Sequence, residues 1–404
     1  MLDTLSVGEL ATQPDGHLVL VSSNNSDIDV ARFNPQGQQI WHRRFGDAHY
    51  QQVSGVVIDA RGNTLITGDF WGELDFGGGP LPCPGEPGSP RAFVAKLDVR
   101  GHHLWSRCFG DQGQQQTGTL ALAPDGDVFV SGYFDRIIDF GDGPIPVKGT
   151  VNHFVARLSR NTGGTVWHHV YETGMGNTVR LASDAEGNLF ISDSYTDTLS
   201  IHGQPWLSTP GFNAYVLKFD RHGQPLWAKD VGPAHQQTGW RLAVDREGNL
   251  FGAGAFFGTL DLGGGPLISL DMDVFVVSLD PEGTHRWSRR FGGPGPDWGQ
   301  DMRLDPDGES VVTGSFTGTI DFGTGPLTSA GLDDIFVVKL GRRGKTRWSR
   351  AFGDLSRQTA YRVVSAGRHD AVLGGPLVGT VDFGSGPVTG TSSRTWFLAR
   401  VTPQ

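Results

Sequence analysis

Six short segments carry side chains suited to recognising a polar ligand: AHYQQVSG, QGQQQTG, GMGNTV, PAHQQTGW, GPDWGQ and LSRQTAY. Five contain glutamine and the sixth has Asn177. The candidate ligand-binding residues are His49, Gln52, Gln116, Asn177, His235, Gln237, Trp298, Gln300, Arg357 and Gln358. An amide offers donors and an acceptor on one planar group, and an aromatic ring adds an apolar face. That combination suits a carbohydrate or a peptide. The competing role is structural, since the same side chains can satisfy backbone groups at strand ends.

Catalytic chemistry is not spelled out. GxSxG, HExxH and Walker-type loops are missing, and the glycine-rich DFGGGP segments precede no helix that would cradle phosphate. The 13 histidines are scattered rather than set at zinc spacing. DPDGE and DGDVF hint at calcium carboxylates, but they lack the twelve-residue ligand order of an EF-hand, so turn chemistry is the expected role. No catalytic residue, metal or cofactor is therefore expected. Cys83 and Cys108 are the two cysteines, and they fall toward the same end of one segment. A disulfide between them is one reading and two free thiols the other.

These residues are positioned by a repeat. A tryptophan element recurs at Trp41, Trp105, Trp167, Trp227, Trp287 and Trp348, in steps of 64, 62, 60, 60 and 61 residues. Three other elements keep the same register: a turn (DARGN, DAEGN, DREGN, DPDGE), a loop (ELDFGGGPL, TLDLGGGPL, TIDFGTGPL, TVDFGSGPV) and a strand (FVAKL, FVARL, FVVKL, FLARV). Each period divides into four short alternating strands separated by turn residues. In D-x-x-G the Asp oxygen accepts a nearby backbone N–H while Gly takes positive φ. A lone sheet of that size leaves its faces and edges exposed, so unit must pack on unit. An open solenoid usually repeats every ~20–30 residues. A period near sixty with four antiparallel strands instead predicts an all-β fold, the β-propeller, closed radially.

The expected blades are 6–46, 53–110, 117–171, 178–231, 239–292, 299–353 and 360–404, within one propeller domain over 1–404. Seven first strands but six tryptophan strands predict seven blades of four antiparallel strands, with the last one three-stranded. The six tryptophans are expected to be structural anchors between blades. In the outer strand they share a face with a base and an apolar residue, as in Trp287, Arg289 and Phe291. Removing each indole from water is worth roughly 2–3 kcal/mol. The base of the third strand (Arg32, Lys96, Arg157, Lys218, Lys339, Arg400) is expected to pair with a first-turn aspartate such as Asp59, Asp184, Asp245 or Asp305.

The order D-x-x-G-N … G-x-F … D-x-F-V-x-K-L … G … W resembles the bacterial seven-bladed β-propeller repeat proteins, common among secreted and surface proteins. The resemblance covers essentially the whole chain and implies an extracytoplasmic or cell-surface location, although no signal peptide is visible in MLDTLSVGEL.

Composition bounds the partners. With 404 residues and a net charge of −10, the chain does not have the basic surface that nucleic acid or anionic membrane requires. No apolar run approaches the ~18 residues of a membrane span. The 60 glycines and 23 prolines fit many tight turns. The expectation is a monomeric, non-enzymatic binding scaffold that presents a loop-rich face to a protein or glycan. The alternatives are an enzyme of lyase or hydrolase type with a site at the central channel mouth, or a structural segment of a larger surface protein.

Overall fold

The computed structural model describes residues 8–24, 27–83, 89–110, 113–172, 179–201, 204–233, 240–367 and 370–403. Asn177, His235 and Gln237 lie outside the described residues. The regular structure of the described residues is all strand, 29 in number, and neighbouring strands pair antiparallel. This is a fold of β-propeller type.

The unit is a meander. β5 (Gln51–Ile58), β6 (Thr64–Phe70), β7 (Arg91–Leu97) and β8 (His103–Phe109) pair in chain order. The same order holds for β1 (Gly8–Thr12), β2 (Leu18–Asn24), β3 (Asp27–Phe33) and β4 (Gln39–Phe45). It recurs in β19 (Arg241–Val244) to β22 (His285–Phe291), and in β23 (Trp298–Leu304) to β26 (Thr346–Phe352). The third and fourth units merge: β14 (Thr165–Glu172) pairs with β16 (Leu189–Ile201) through Tyr171 and Ile201, giving one eight-stranded sheet. The last sheet, β27 (Arg362–Ser365), β28 (Ala371–Asp382) and β29 (Pro387–Val401), has three strands.

The repeated letters have local causes. Asp59 Oδ1 accepts the backbone N–H groups of Arg61 and Asn63, both at 2.9 Å, and Gly62 sits at φ 83°. Asp184, Asp245 and Asp305 close their turns in the same way. In the glycine-rich loops Asp75, Asp139, Asp261, Asp321 and Asp382 each accept the N–H two and four residues ahead. These carboxylates are spent on their own backbones. The aspartates held Lys-bound below them complete the pattern: Lys96–Asp59 at 2.8 Å, Lys218–Asp184 at 3.6 Å and Lys339–Asp305 at 2.6 Å. Arg157 instead reaches Asp125 and Asp127, and Arg400 reaches Asp370. Asp245, which faces Ser278 in place of a base, is held by Asn249.

Four of the outer-strand indoles meet the next repeat. Trp41 Nε1 donates to Val99 O (2.9 Å), Trp105 to Arg160 O (3.0 Å), Trp167 to Arg221 O (3.2 Å) and Trp287 to Arg342 O (2.8 Å). The acceptor is always in the tight turn between third and fourth strands. A Cβ on Gly344 of that turn would stand 2.6 Å from the Trp287 ring, so glycine is what lets the indole slide beneath. Trp348 Nε1 is buried with no acceptor among the described residues, and the following sheet has no fourth strand there.

Cys83 and Cys108 form a disulfide, with Cα atoms 5.4 Å apart, tying the second unit's loop to its outer strand. The chain separates into two compact units. One comprises 1–10, 14–16 and 231–404; the other comprises 11–13 and 17–230.

Candidate binding site

Among the described candidates, Gln52 and Gln116 come together with residues that the amide pattern did not flag. In the unit holding residues 17–230, Gln52 on β5 lies opposite Asp69 on β6. Gln116 on β9 (Gln115–Leu122) lies opposite Tyr133 on β10 (Val128–Phe134). Thr117 Oγ1 donates to Gly68 O at 2.9 Å, which fastens the two hairpins where Gln116 and Asp69 sit. Tyr50 donates to Gln52 Oε1 and Tyr133 donates to Gln116 Oε1, each at 2.5 Å. The result is a cluster of two phenols, two amides and one carboxyl. It opens to solvent through Gln52 and through Tyr50, which is 47% exposed.

Asp69 is the unusual member. It is 4% exposed, and no described group donates to its carboxylate. Burial alone pushes its pKa up to about 7. The same charge raises the phenols of Tyr50 and Tyr133, after burial as the larger cause in each. A desolvated carboxyl flanked by amides is an acceptor waiting for a hydroxyl or amide donor.

A second polar group lies behind it. His153 on β13 (Asn152–Leu158) is 6.3 Å ring to ring from Tyr133, and its Nδ1 is 2.5 Å from Asp193 Oδ2. Both side chains are sealed from solvent. His153 Nε2 meets no described partner. Tyr171 lies opposite His153 and Tyr215 opposite Asp193, and both phenols are fully buried. Burial raises the Asp193 carboxyl, with His153, the Ser194 amide and Arg180 acting against it.

The repeat shows how unusual this is. The residue opposite the third-strand aromatic, where Asp193 stands, is glycine in Gly68, Gly132, Gly254, Gly314 and Gly375. A Cβ on Gly68 would lie 1.9 Å from Gln52 O, and one on Gly314 would lie 1.7 Å from Trp298 O. The position of His153 is held elsewhere by Ile28, Ala92, Val274 and Ile335. Comparing repeat columns residue by residue is the signal that picks out Asp193 and His153.

The other candidates separate. His49 is exposed and its Nδ1 lies 2.9 Å from Asp47 Oδ2. Arg357 is exposed beside Asp333 at 3.3 Å. Gln358 is fully buried; its Nε2 donates to Val378 O at 2.9 Å and to Asp354. Gln51 and Gln115 are equally buried and brace the same kind of loop, through Trp71 O and Ile137 O. Trp298 is half-buried on β23, and the Gln300 carbonyl accepts from Arg241 Nε at 2.9 Å. Among the described residues, no cluster of three or more His, Cys, Asp or Glu is arranged to hold a metal, and no helix is long and apolar enough to cross a membrane.

No family profile matches the chain. It is 19% identical over 420 residues to a WD repeat-containing protein of Acanthamoeba polyphaga mimivirus, covering 82% of this chain and 30% of that protein. It is 24% identical over 217 residues to the regulatory protein FlaEY of Caulobacter vibrioides, covering 51% of this chain and 22% of that protein. The chain thus spans less than a third of the length of these curated relatives. Among solved structures it is similar to the quinohemoprotein alcohol dehydrogenase of Comamonas testosteroni, at TM-score 0.49 and 12% identity over 94% of this chain and 65% of that one. It is also similar to virginiamycin B lyase of Staphylococcus aureus, at TM-score 0.47 and 9% identity over 92% of each chain. Likenesses at that level carry no argument about activity. The class defined by the repeat and its meanders is a β-propeller-type repeat protein.

Proposed function

We propose that this chain is a binding propeller of seven blades, working outside the cytoplasm, that takes a neutral, hydroxyl-rich ligand such as a glycan at the cluster of Tyr50, Gln52, Asp69, Gln116 and Tyr133. The observation that carries the reading is Asp69, a buried carboxyl that no described cation meets, on the strand position opposite Gln52. Sugar hydroxyls both donate and accept, so one ring can supply the donor Asp69 lacks and accept from Gln52 and Gln116. The tyrosines add rings against which a sugar face packs. The disulfide supports an oxidising compartment.

A neutral glycan array followed by calorimetry on the hits tests this. Gln52→Ala with Gln116→Ala should weaken a hit at least tenfold while leaving the melting temperature within a few degrees. An array without a single saturable hit would overturn the reading. A second reading has its own support, because a carboxyl titrating near 7 can give or take a proton at neutral pH. Under that reading a bound glycan is cleaved, and Asp69→Asn stops cleavage while binding persists.

A further inference from the structure

The tight turn that joins first and second strands ends in glycine, and the residue before that glycine carries charge. It is an acid in Asp15, Asp125, Glu186, Glu247 and Asp307, and in the second repeat alone it is a base, Arg61. The unit holding residues 231–404 shows what the acid does. Glu247 Oε1 accepts from Arg342 Nη1 of the following repeat at 2.8 Å. Arg342 is itself fixed twice through its own turn: its Nε donates to Asp307 O, and its carbonyl accepts from the Trp287 indole.

The unit holding residues 17–230 contains the same seam with the acid replaced. Trp105 Nε1 donates to Arg160 O at 3.0 Å, and Arg160 Nη1 donates to Asp125 O, so Arg160 holds the place of Arg342. Arg61 holds the place of Glu247. A cleft of about 300 Å³ lies here, and both arginines line it. The carboxylates of the cleft have other partners: Asp59 takes Lys96 at 2.8 Å, and Asp125 takes Arg157 at 2.5 Å. Among the described residues none meets the Arg61 guanidinium, whose backbone N–H is bound to Asp59.

Two planar forks on one cleft are suited to a carboxylate, which each can grip through paired donors. Both arginines are exposed, so charge alone would hold such a group weakly. The cleft supplies a second source of affinity in an apolar wall of Leu104, which is 49% exposed, Pro124 and the edge of the Trp105 indole.

We propose that the cleft between the second and third repeats binds a small organic carboxylate with an apolar body. The carboxylate bridges Arg61 and Arg160 in the role Glu247 plays for Arg342, and the body lies against Leu104 and Pro124. The cleft shares no residue with the Asp69 cluster, so the two readings stand or fall separately. The test is a nitrogen–proton correlation NMR titration of the intact chain with phenylacetate, chloride holding ionic strength constant. The expected result is a saturable shift of the Trp105 indole N–H, with that of Trp167 unmoved. Phenylacetamide keeps the body without the charge, and acetate keeps the charge without the body; each should bind at least tenfold more weakly. Arg61→Glu restores the residue type of the other turns and completes a pair with Arg160, so the fold should hold while phenylacetate affinity falls at least tenfold. No saturable shift at Trp105, equal affinity in wild type and Arg61→Glu, or phenylacetamide or acetate binding as tightly as phenylacetate would overturn the proposal.

Discussion

Asp69 and Asp301 are both aspartates taken out of water on inner strands of the same repeat, and their chemistry is opposite. Asp69 has phenols and amides around it and titrates near 7. Asp301 has three guanidiniums and a backbone amide, and stays ionised below the usual carboxylate range. Burial penalises the charged form in both, so the difference is entirely in what faces the carboxyl. A repeat can therefore hold its backbone constant and set a carboxyl's charge through one or two neighbouring side chains.

The largest expected effect is at Asp301. Asp301→Asn removes the buried carboxylate that Arg303 and Arg241 approach, and denaturant melts at pH 7 should show a loss of roughly 3–5 kcal/mol. Its contribution is present above the unfolded aspartate range and disappears as pH falls through the depressed folded pKa, so the variant's deficit should shrink in acid. A deficit under about 1 kcal/mol at pH 7 would break the contrast.

Asp69 should behave in the other direction. The folded protein holds its proton up to about pH 7 while the unfolded chain releases it near 3.9. Its stabilising contribution is thus complete below about pH 4 and is lost as pH rises to 7. Asp69→Asn should gain on the order of 2–4 kcal/mol over wild type at pH 8, and almost nothing at pH 4. A gain that does not vary with pH would mean the carboxyl is solvated.

His153 and Asp193 lie between these extremes, a buried pair with one ring nitrogen unanswered. Asp193→Gly alone leaves His153 without its carboxylate and should cost about 1–3 kcal/mol. Adding His153→Ile, the residue type at Ile28 and Ile335, should recover most of it. Simple additivity in that cycle would show the two do not interact. The smallest effect concerns a neutral donor. Trp287→Phe should lose about 1 kcal/mol more than Trp348→Phe, because only the Trp287 indole has an acceptor to lose. Equal losses would place packing above the hydrogen bond.

The meander was legible because its causes are local. A turn such as DREGN needs its Asp and Gly wherever it occurs, and alternating strands reveal themselves over five residues. Trp287 was readable as an anchor for the same reason, since every period repeats it. Asp69 was not, because an aspartate in TLITGDF looks like any strand-end polar residue until the neighbouring hairpin is known to bring Tyr133 and Gln116 against it. Gln52 and Gln116 were singled out by type, yet Gln51 and Gln115 beside them are the buried pair that braces the loops, and alternation alone cannot say which of two adjacent amides faces in. Arg61 and Asp193 were visible in principle as letters out of place in their columns. The partner of Asp193 was not, because His153 lies forty positions earlier in the chain, on a strand of the preceding repeat.

The self-closing carboxylates at Asp75, Asp139, Asp261, Asp321 and Asp382 have a practical corollary. Each hairpin tip ties its backbone within five residues, while the apolar residue after the aspartate (Phe76, Phe140, Leu262, Phe322 or Phe383) anchors it in the core. Peptides of foreign sequence grafted between the two glycines of such a tip should therefore leave the strands their own register.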